Sequence, residues 1–120
     1  MEQYKLFVAC GPFPPQLEAR VREECRYRAL YELVPNEPVR TDFCHVGLMG
    51  GLEELFPKHT WACGEKWPGR AVNGYYEELA RNASGIYAFA APALPDHGEA
   101  LAALSDACDR LAKRLTLFLY

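Results

Sequence analysis

No apolar stretch in this 120-residue chain approaches the ~18 residues needed to cross a bilayer, so no membrane role is expected. The chain opens without the basic segment and long apolar run of a secretory signal, which makes the cytoplasm the expected location. The triplet Asn82-Ala83-Ser84 fits the glycosylation pattern, but it carries no meaning without a secretory route. There is no block of Lys or Arg, and the formal net charge is −3, which argues against a nucleic-acid backbone as a partner. No CxxC pair occurs: five cysteines, an odd number, stand apart at positions 10, 25, 44, 63 and 108. Free thiols in a reducing compartment are the economical reading. The phosphate-cradling patterns GxGxxG and GxxxxGK[ST] are both missing. Cys10 stands at a strand end, as phosphatase nucleophiles do, but Gln16 occupies the position where that class requires arginine. Internal repeats, low-complexity tracts and linkers are also absent, so residues 1–120 read as one domain.

What remains is an ordinary globular composition, half apolar and about a quarter charged. The chain alternates between two periodicities. "YKLFVAC" is a short apolar run rich in strand formers and stopped by Gly11-Pro12, which predicts a buried strand. Leu17, Val21, Cys25, Ala29 and Leu33 then recur at every fourth residue, the stripe of an amphipathic helix closed by Pro35 and Pro38. On its other side Arg20, Arg22, Arg26 and Arg28 alternate with Glu18, Glu23 and Glu24, as on a solvated face. "VRTDFCHVGL" predicts a second strand, "GGLEELF" a helical turn or two, and "YYEELARNA" a short helix. Residues 58–74 have no clean period and read as a loop, with a short strand at Thr60–Cys63 as one option. "GIYAFAAPAL" predicts a central strand; Leu101, Leu104, Cys108 and Leu111 mark a second long helix; "LTLFLY" predicts another buried strand. Strands separated by helices imply parallel pairing and right-handed crossovers. The expected fold is therefore a three-layer α/β domain with a mainly parallel sheet, Rossmann- or flavodoxin-like.

Such sheets bind ligands beyond the carboxyl ends of their strands. That rule selects three turns: Cys10-Gly11-Pro12, Gly47–Gly51, and Pro95–Glu99. Glycines at Gly11, Gly47, Gly50, Gly51 and Gly98 let backbone N–H groups approach an anion, or simply supply a bend with positive φ. Asp96 also fits a helix N-cap, with Glu99 three residues later in the place of a capping-box partner. Cys44, His45, His59 and Cys63 are acceptable zinc ligands, but neighbours on a strand point to opposite faces, and no metal is expected. Trp61, Trp67, Tyr75 and Tyr76 suit either a base-stacking wall or a plug at a sheet edge or subunit contact.

Two of these stretches resemble the Rossmann-like N-glycosidic proteins. Val8-Ala9-Cys10-Gly11, followed by Gly47-Leu48-Met49-Gly50, resembles the lonely-guy-type phosphoribohydrolases. Residues 75–120, in the order helix, buried strand, Asp-x-Gly turn, helix, strand, are similar to the second half of nucleoside 2-deoxyribosyltransferase-like proteins. The Pro-Gly-Gly-x-Gly-Thr loop of the first branch is replaced here by Pro95-Asp96-His97-Gly98-Glu99. Ala102 and Ala103 stand where the second branch carries a helical glutamate. The resemblance implies a nucleotide or nucleoside ligand held by Cys10, Gly11, Gly47, Gly50, Gly51, His97 and Gly98. It also implies N-glycosidic hydrolase or transferase chemistry, in which a carboxylate stabilises an oxocarbenium-like sugar. Glu99 is the candidate carboxylate, and Asp96 or His97 would hold ribose hydroxyls or move a proton. No cofactor is implied, and a homo-oligomer is expected. The alternative is a non-catalytic ligand-binding or interaction module with a degenerate site.

Overall fold

Every residue of the strand Gly85–Ala90 is buried, and a strand covered on both faces belongs at the centre of a parallel sheet. The computed structural model describes residues 5–33, 39–42, 52–57, 59 and 75–120. Their order is β1 (Lys5–Ala9), α1 (Pro15–Glu32), β2 (Val39–Asp42), α2 (Leu52–Leu55), α3 (Tyr75–Arg81), β3 (Gly85–Ala90), α4 (His97–Arg110) and β4 (Arg114–Leu119). The strands form one sheet in the order β2-β1-β3-β4, and all three pairings are parallel. From β1 to β2 the chain moves one way across the sheet, and from β2 to β4 it moves back. Right-handed crossovers in opposite directions place helices on opposite faces. Accordingly α1 and α2 pack on one face, and α3 and α4 on the other. This is the expected three-layer α/β fold.

Strand periodicity divides the core. Phe7, Ala9, Tyr87, Phe89 and Ala91 face α1, while Leu6, Val8, Cys10, Ile86, Ala88 and Ala90 face α4. The α1 face is aromatic. Phe7 lies beside Tyr87, with ring centroids 4.9 Å apart, and Phe89 stacks on Phe118 at 4.8 Å. These rings come from three neighbouring strands in register, and each buries a large apolar area.

Helix α1 begins with Pro15 just after its N-cap residue Pro14, a position where the missing N–H costs nothing. Val21, Cys25 and Ala29 are its buried stripe, and Leu33 just beyond the helix continues it. Its arginines and glutamates pair along the outer flanks at i,i+3 and i,i+4 spacing. One pairing reaches the sheet: Glu32 accepts a hydrogen bond from the Tyr87 hydroxyl at 2.8 Å and from Arg28 at 3.0 Å. Arg28 also lies over the Phe118 ring.

The structure corrects the reading of "LTLFLY" as a buried strand. β4 forms the sheet edge, and Leu117 and Leu119 are 45% and 57% exposed. An apolar alternation cannot distinguish an edge from a centre, because both present side chains to two faces. The expected strand at Thr60–Cys63 lies outside the described residues. Among those that are described, no helix is long and apolar enough to cross a membrane.

α4 ends in a six-to-one bond from Lys113 N–H to the Cys108 carbonyl, with Ala112 N–H bonded to the Asp109 carbonyl. Between them Ala112 has φ 53°. This is the left-handed closure that usually carries glycine, and nothing in "RLAKR" signals it.

Ala112→Gly relieves the left-handed strain and raises stability by about 0.5–1 kcal/mol, net of the greater chain entropy of glycine, as read by urea denaturation. The Tyr87 hydroxyl, then Arg28, hold the Glu32 carboxyl below its usual range. A depressed carboxylate contributes stability above its unfolded pKa and loses it as pH falls through the folded value. The stability advantage of wild type over Glu32→Gln should therefore shrink on acidification from neutral pH to below the ordinary glutamate range. A constant difference across that range would contradict the assignment.

Candidate functional site at the carboxyl ends of β1 and β3

The direction of winding reverses between β1 and β3, so their following segments leave toward opposite faces. Folds of this kind open a crevice at that point. Residues 10–14 leave β1 for α1, and residues 91–96 leave β3 for α4.

The β1 side is tied inward. Cys10 N–H donates to the Phe89 carbonyl at 2.9 Å. The Cys10 side chain is fully buried among residues of the α4 face, and burial pushes its thiol up to about 12. At neutral pH this sulfur is a packed apolar group and not a nucleophile. On the β3 side, two short turns carry the chain into the helix, from Leu94 N–H to the Ala91 carbonyl and from His97 N–H to the Leu94 carbonyl.

His97 closes the crevice between them. Its Nδ1 accepts the Ala91 N–H at 3.1 Å, which leaves Nε2 to carry the proton and donate to the Pro12 carbonyl at 2.8 Å. The ring is fully buried and meets the edge of Phe13, centroid to centroid at 4.8 Å. Gly11 is the complement of this ring. A Cβ at Gly11 would fall 2.6 Å from both Cδ2 and Nε2 of His97, inside contact distance of a side chain pinned at both nitrogens. Glycine is required here for close approach.

The acids stand outside this lock. Asp96 and Glu99 are exposed, as is Gly98 between them. Asp96 occupies the N-cap position of α4 but has φ 69° and makes no side-chain cap bond. Capping requires an extended backbone that aims the side-chain oxygen at the first free N–H groups. The left-handed conformation does not supply that geometry. The capping box read from the sequence is therefore not formed, and both carboxylates remain available to solvent.

The structure thus separates the candidate residues into two groups. Cys10, Gly11 and His97 are committed to the interior, and His97 has no ring nitrogen left for a ligand or a proton relay. Asp96, Gly98 and Glu99 form an exposed rim on the first turn of α4. Gly47, Gly50 and Gly51 lie outside the described residues, as do Cys44, His45 and Cys63 of the metal reading and the Trp61 and Trp67 side chains. His59 is buried beside the Phe56 ring. Among the described residues, no group of three or more His, Cys, Asp or Glu is placed to hold a metal ion. The structural role of His97 had a signal in the sequence. Stepping back four residues from Leu101 along the buried stripe of α4 reaches position 97, so the helical period marks it as inward-facing.

The lock makes a quantitative prediction. Gly11→Ala should cost roughly 2–3 kcal/mol through overpacking. His97→Ala should cost a similar amount by leaving the Ala91 N–H and the Pro12 carbonyl without protein partners. Combined, the two changes should cost clearly less than their sum, because the alanine methyl enters space the ring has left. Additive losses in a denaturant double-mutant cycle would refute the contact.

No protein-family model matches this chain, and no curated protein is detectably similar to it.

Proposed function

We propose that the protein binds a nucleoside-class ligand on the rim beyond the carboxyl ends of β1 and β3, with Asp96 and Glu99 as its polar contacts. The observation that supports this reading is the pair of exposed carboxylates at the head of α4, Asp96 at the N-cap position and Glu99 in the first turn, with no side-chain cap bond formed. That turn is fixed through His97 to the loops that follow both central strands. Carboxylates accept hydrogen bonds from sugar hydroxyls and repel phosphates, so a hydroxyl-bearing neutral ligand suits the rim better than a phosphorylated one. The resemblance to N-glycosidic proteins carries the reading one step further. Glu99 is the carboxylate that would stabilise or capture an oxocarbenium-like sugar as the base departs. Asp96 would orient the hydroxyls. A binding module without turnover is the second reading, favoured because His97, the described histidine at the crevice, has both ring nitrogens committed to hydrogen bonds.

The experiment starts with the wild-type protein, screened against purine and pyrimidine nucleosides and their monophosphates for thermal stabilisation and for release of free base. Nucleosides should raise the melting temperature more than the corresponding monophosphates. Asp96→Asn keeps a residue that tolerates left-handed backbone and removes one charge, and it should weaken that stabilisation. Glu99→Gln should abolish base release while leaving the melting temperature of the free protein nearly unchanged, since no cap bond is lost. Ligand binding with no base release from wild type would select the binding module. The absence of both would reject the nucleoside reading.

A further inference from the structure

β4 is the edge of the sheet, yet it carries none of the features that keep an edge strand solitary. Natural edges are blunted by Lys, Pro, bulges or inward-pointing charges. The strand Arg114–Leu119 has no proline, and its one charge is at its first residue. It pairs with β3 in unbroken register from Arg114 through Leu119. Tyr120 N–H continues that ladder to the Ala90 carbonyl at 3.0 Å. Backbone N–H and C=O groups of one residue point the same way along a strand, so the even-numbered residues of β4 face β3. Leu115, Leu117 and Leu119 therefore direct their N–H and C=O groups outward, and among the described residues nothing bonds to them there. The same residues share the α4 face of the sheet, where Leu115 packs on the core and Leu117 and Leu119 are exposed. On the opposite face, the outer end of β4 borders a cleft of about 560 Å³ lined by Ala19, Arg20, Glu23, Glu24, Tyr27 and Tyr120.

We propose that a second copy of this chain covers β4, pairing antiparallel about a twofold axis at Leu117 and joining two four-stranded sheets into one of eight. The register is fixed by parity. A twofold at Leu117 sets Leu117 against its counterpart and Leu115 against Leu119 of the second copy. Every residue in these pairs has outward-directed backbone groups, so each pair exchanges two hydrogen bonds, as antiparallel ladders require. The leucines then meet leucines on the α4 face, which dries the two exposed side chains. On the α1 face, the register places Arg114 of one copy opposite Tyr120 of the other. There its guanidinium reaches the cleft beside Tyr120, where Glu23 and Glu24, each paired with an arginine of its own helix, outnumber the one lining arginine, Arg20, that lies over the tyrosine ring. The interface is isologous, with Arg114 of each copy set beside the Glu23 and Glu24 end of the cleft of its mate. It is independent of the nucleoside reading, since none of the rim residues takes part.

The test uses sedimentation equilibrium of the full chain, together with hydrogen exchange of assigned amides. Wild type is expected at twice the 13.5 kDa chain mass, with the amides of Leu115, Leu117 and Leu119 protected at concentrations where the dimer is populated. Leu117→Lys places two like charges across the axis and removes two buried leucines. It should weaken dimerisation by at least roughly a hundredfold while far-UV circular dichroism stays that of the folded chain. Arg114→Glu should also weaken the dimer, and Arg114→Glu combined with Glu23→Arg should recover much of the loss, which guards against a failure of Leu117→Lys to fold. A wild type that remains monomeric at high micromolar concentration overturns the proposal. So does a dimer that survives Leu117→Lys, which would point to another face, such as the exposed Tyr27, Leu30 and Tyr31 of α1. Unprotected Leu115, Leu117 and Leu119 amides in a dimer overturn it equally.

Discussion

The imidazole of His97 is the point on which the ligand end of this fold depends. Parallel strands end with backbone groups that no neighbouring strand satisfies, and at a switch point the two flanking loops diverge. Here one buried ring, accepting from Ala91 and donating to Pro12, answers one group from each loop. A neutral imidazole is suited to this because it is donor and acceptor at opposite corners of a rigid plane. The requirement propagates outward. Gly11 must lack a side chain, Phe13 packs edge-on against the ring, and the first turn of α4 is set by where its own first residue is held.

The rest of the sheet is organised by the contrast between its two faces. The α1 face is an aromatic row from Phe7 through Phe89 to Phe118, finished by the hydrogen-bonded Tyr87, Glu32 and Arg28. The α4 face is built from small and aliphatic side chains, with Ala88, Ala90, Ala100 and Ala107 letting helix and sheet approach closely. Polar specificity therefore sits at the periphery of the core, along one flank of α1 and at the head of α4.

Much of this was legible in the residues. The every-fourth-residue stripe from Leu17 to Leu33 located α1 and its buried face, and the unbroken apolar run at Gly85–Ala90 identified the central strand, because burial on both sides leaves no room for alternation. Three features were not legible, for three different reasons. The edge position of β4 depends on which strands pair, a non-local property that a local pattern does not encode. The left-handed Ala112 has no signature, since tertiary closure of α4 imposes a conformation its side chain disfavours. The candidate site was legible as a location, the turn Pro95–Glu99, but not as a division of labour. Asp96, His97 and Glu99 look equally polar in the sequence; the helical period points position 97 inward, but only packing shows the two ring hydrogen bonds that commit the histidine and leave the two acids facing water.

The position of β1 has a consequence in time. It lies second in the sheet, hydrogen-bonded on both edges, although it precedes the other three strands in the chain. β2 follows it closely and can satisfy one edge, but the other waits for β3, whose Gly85 pairs with Lys5 across most of the chain. Closing so long a loop is entropically slow. Until it closes, the nascent chain presents Leu6 and Val8 on a half-paired strand to whatever else is nearby. His97 follows β3 in the chain, so the clasp between β1 and β3 is available only after β3 itself has been made.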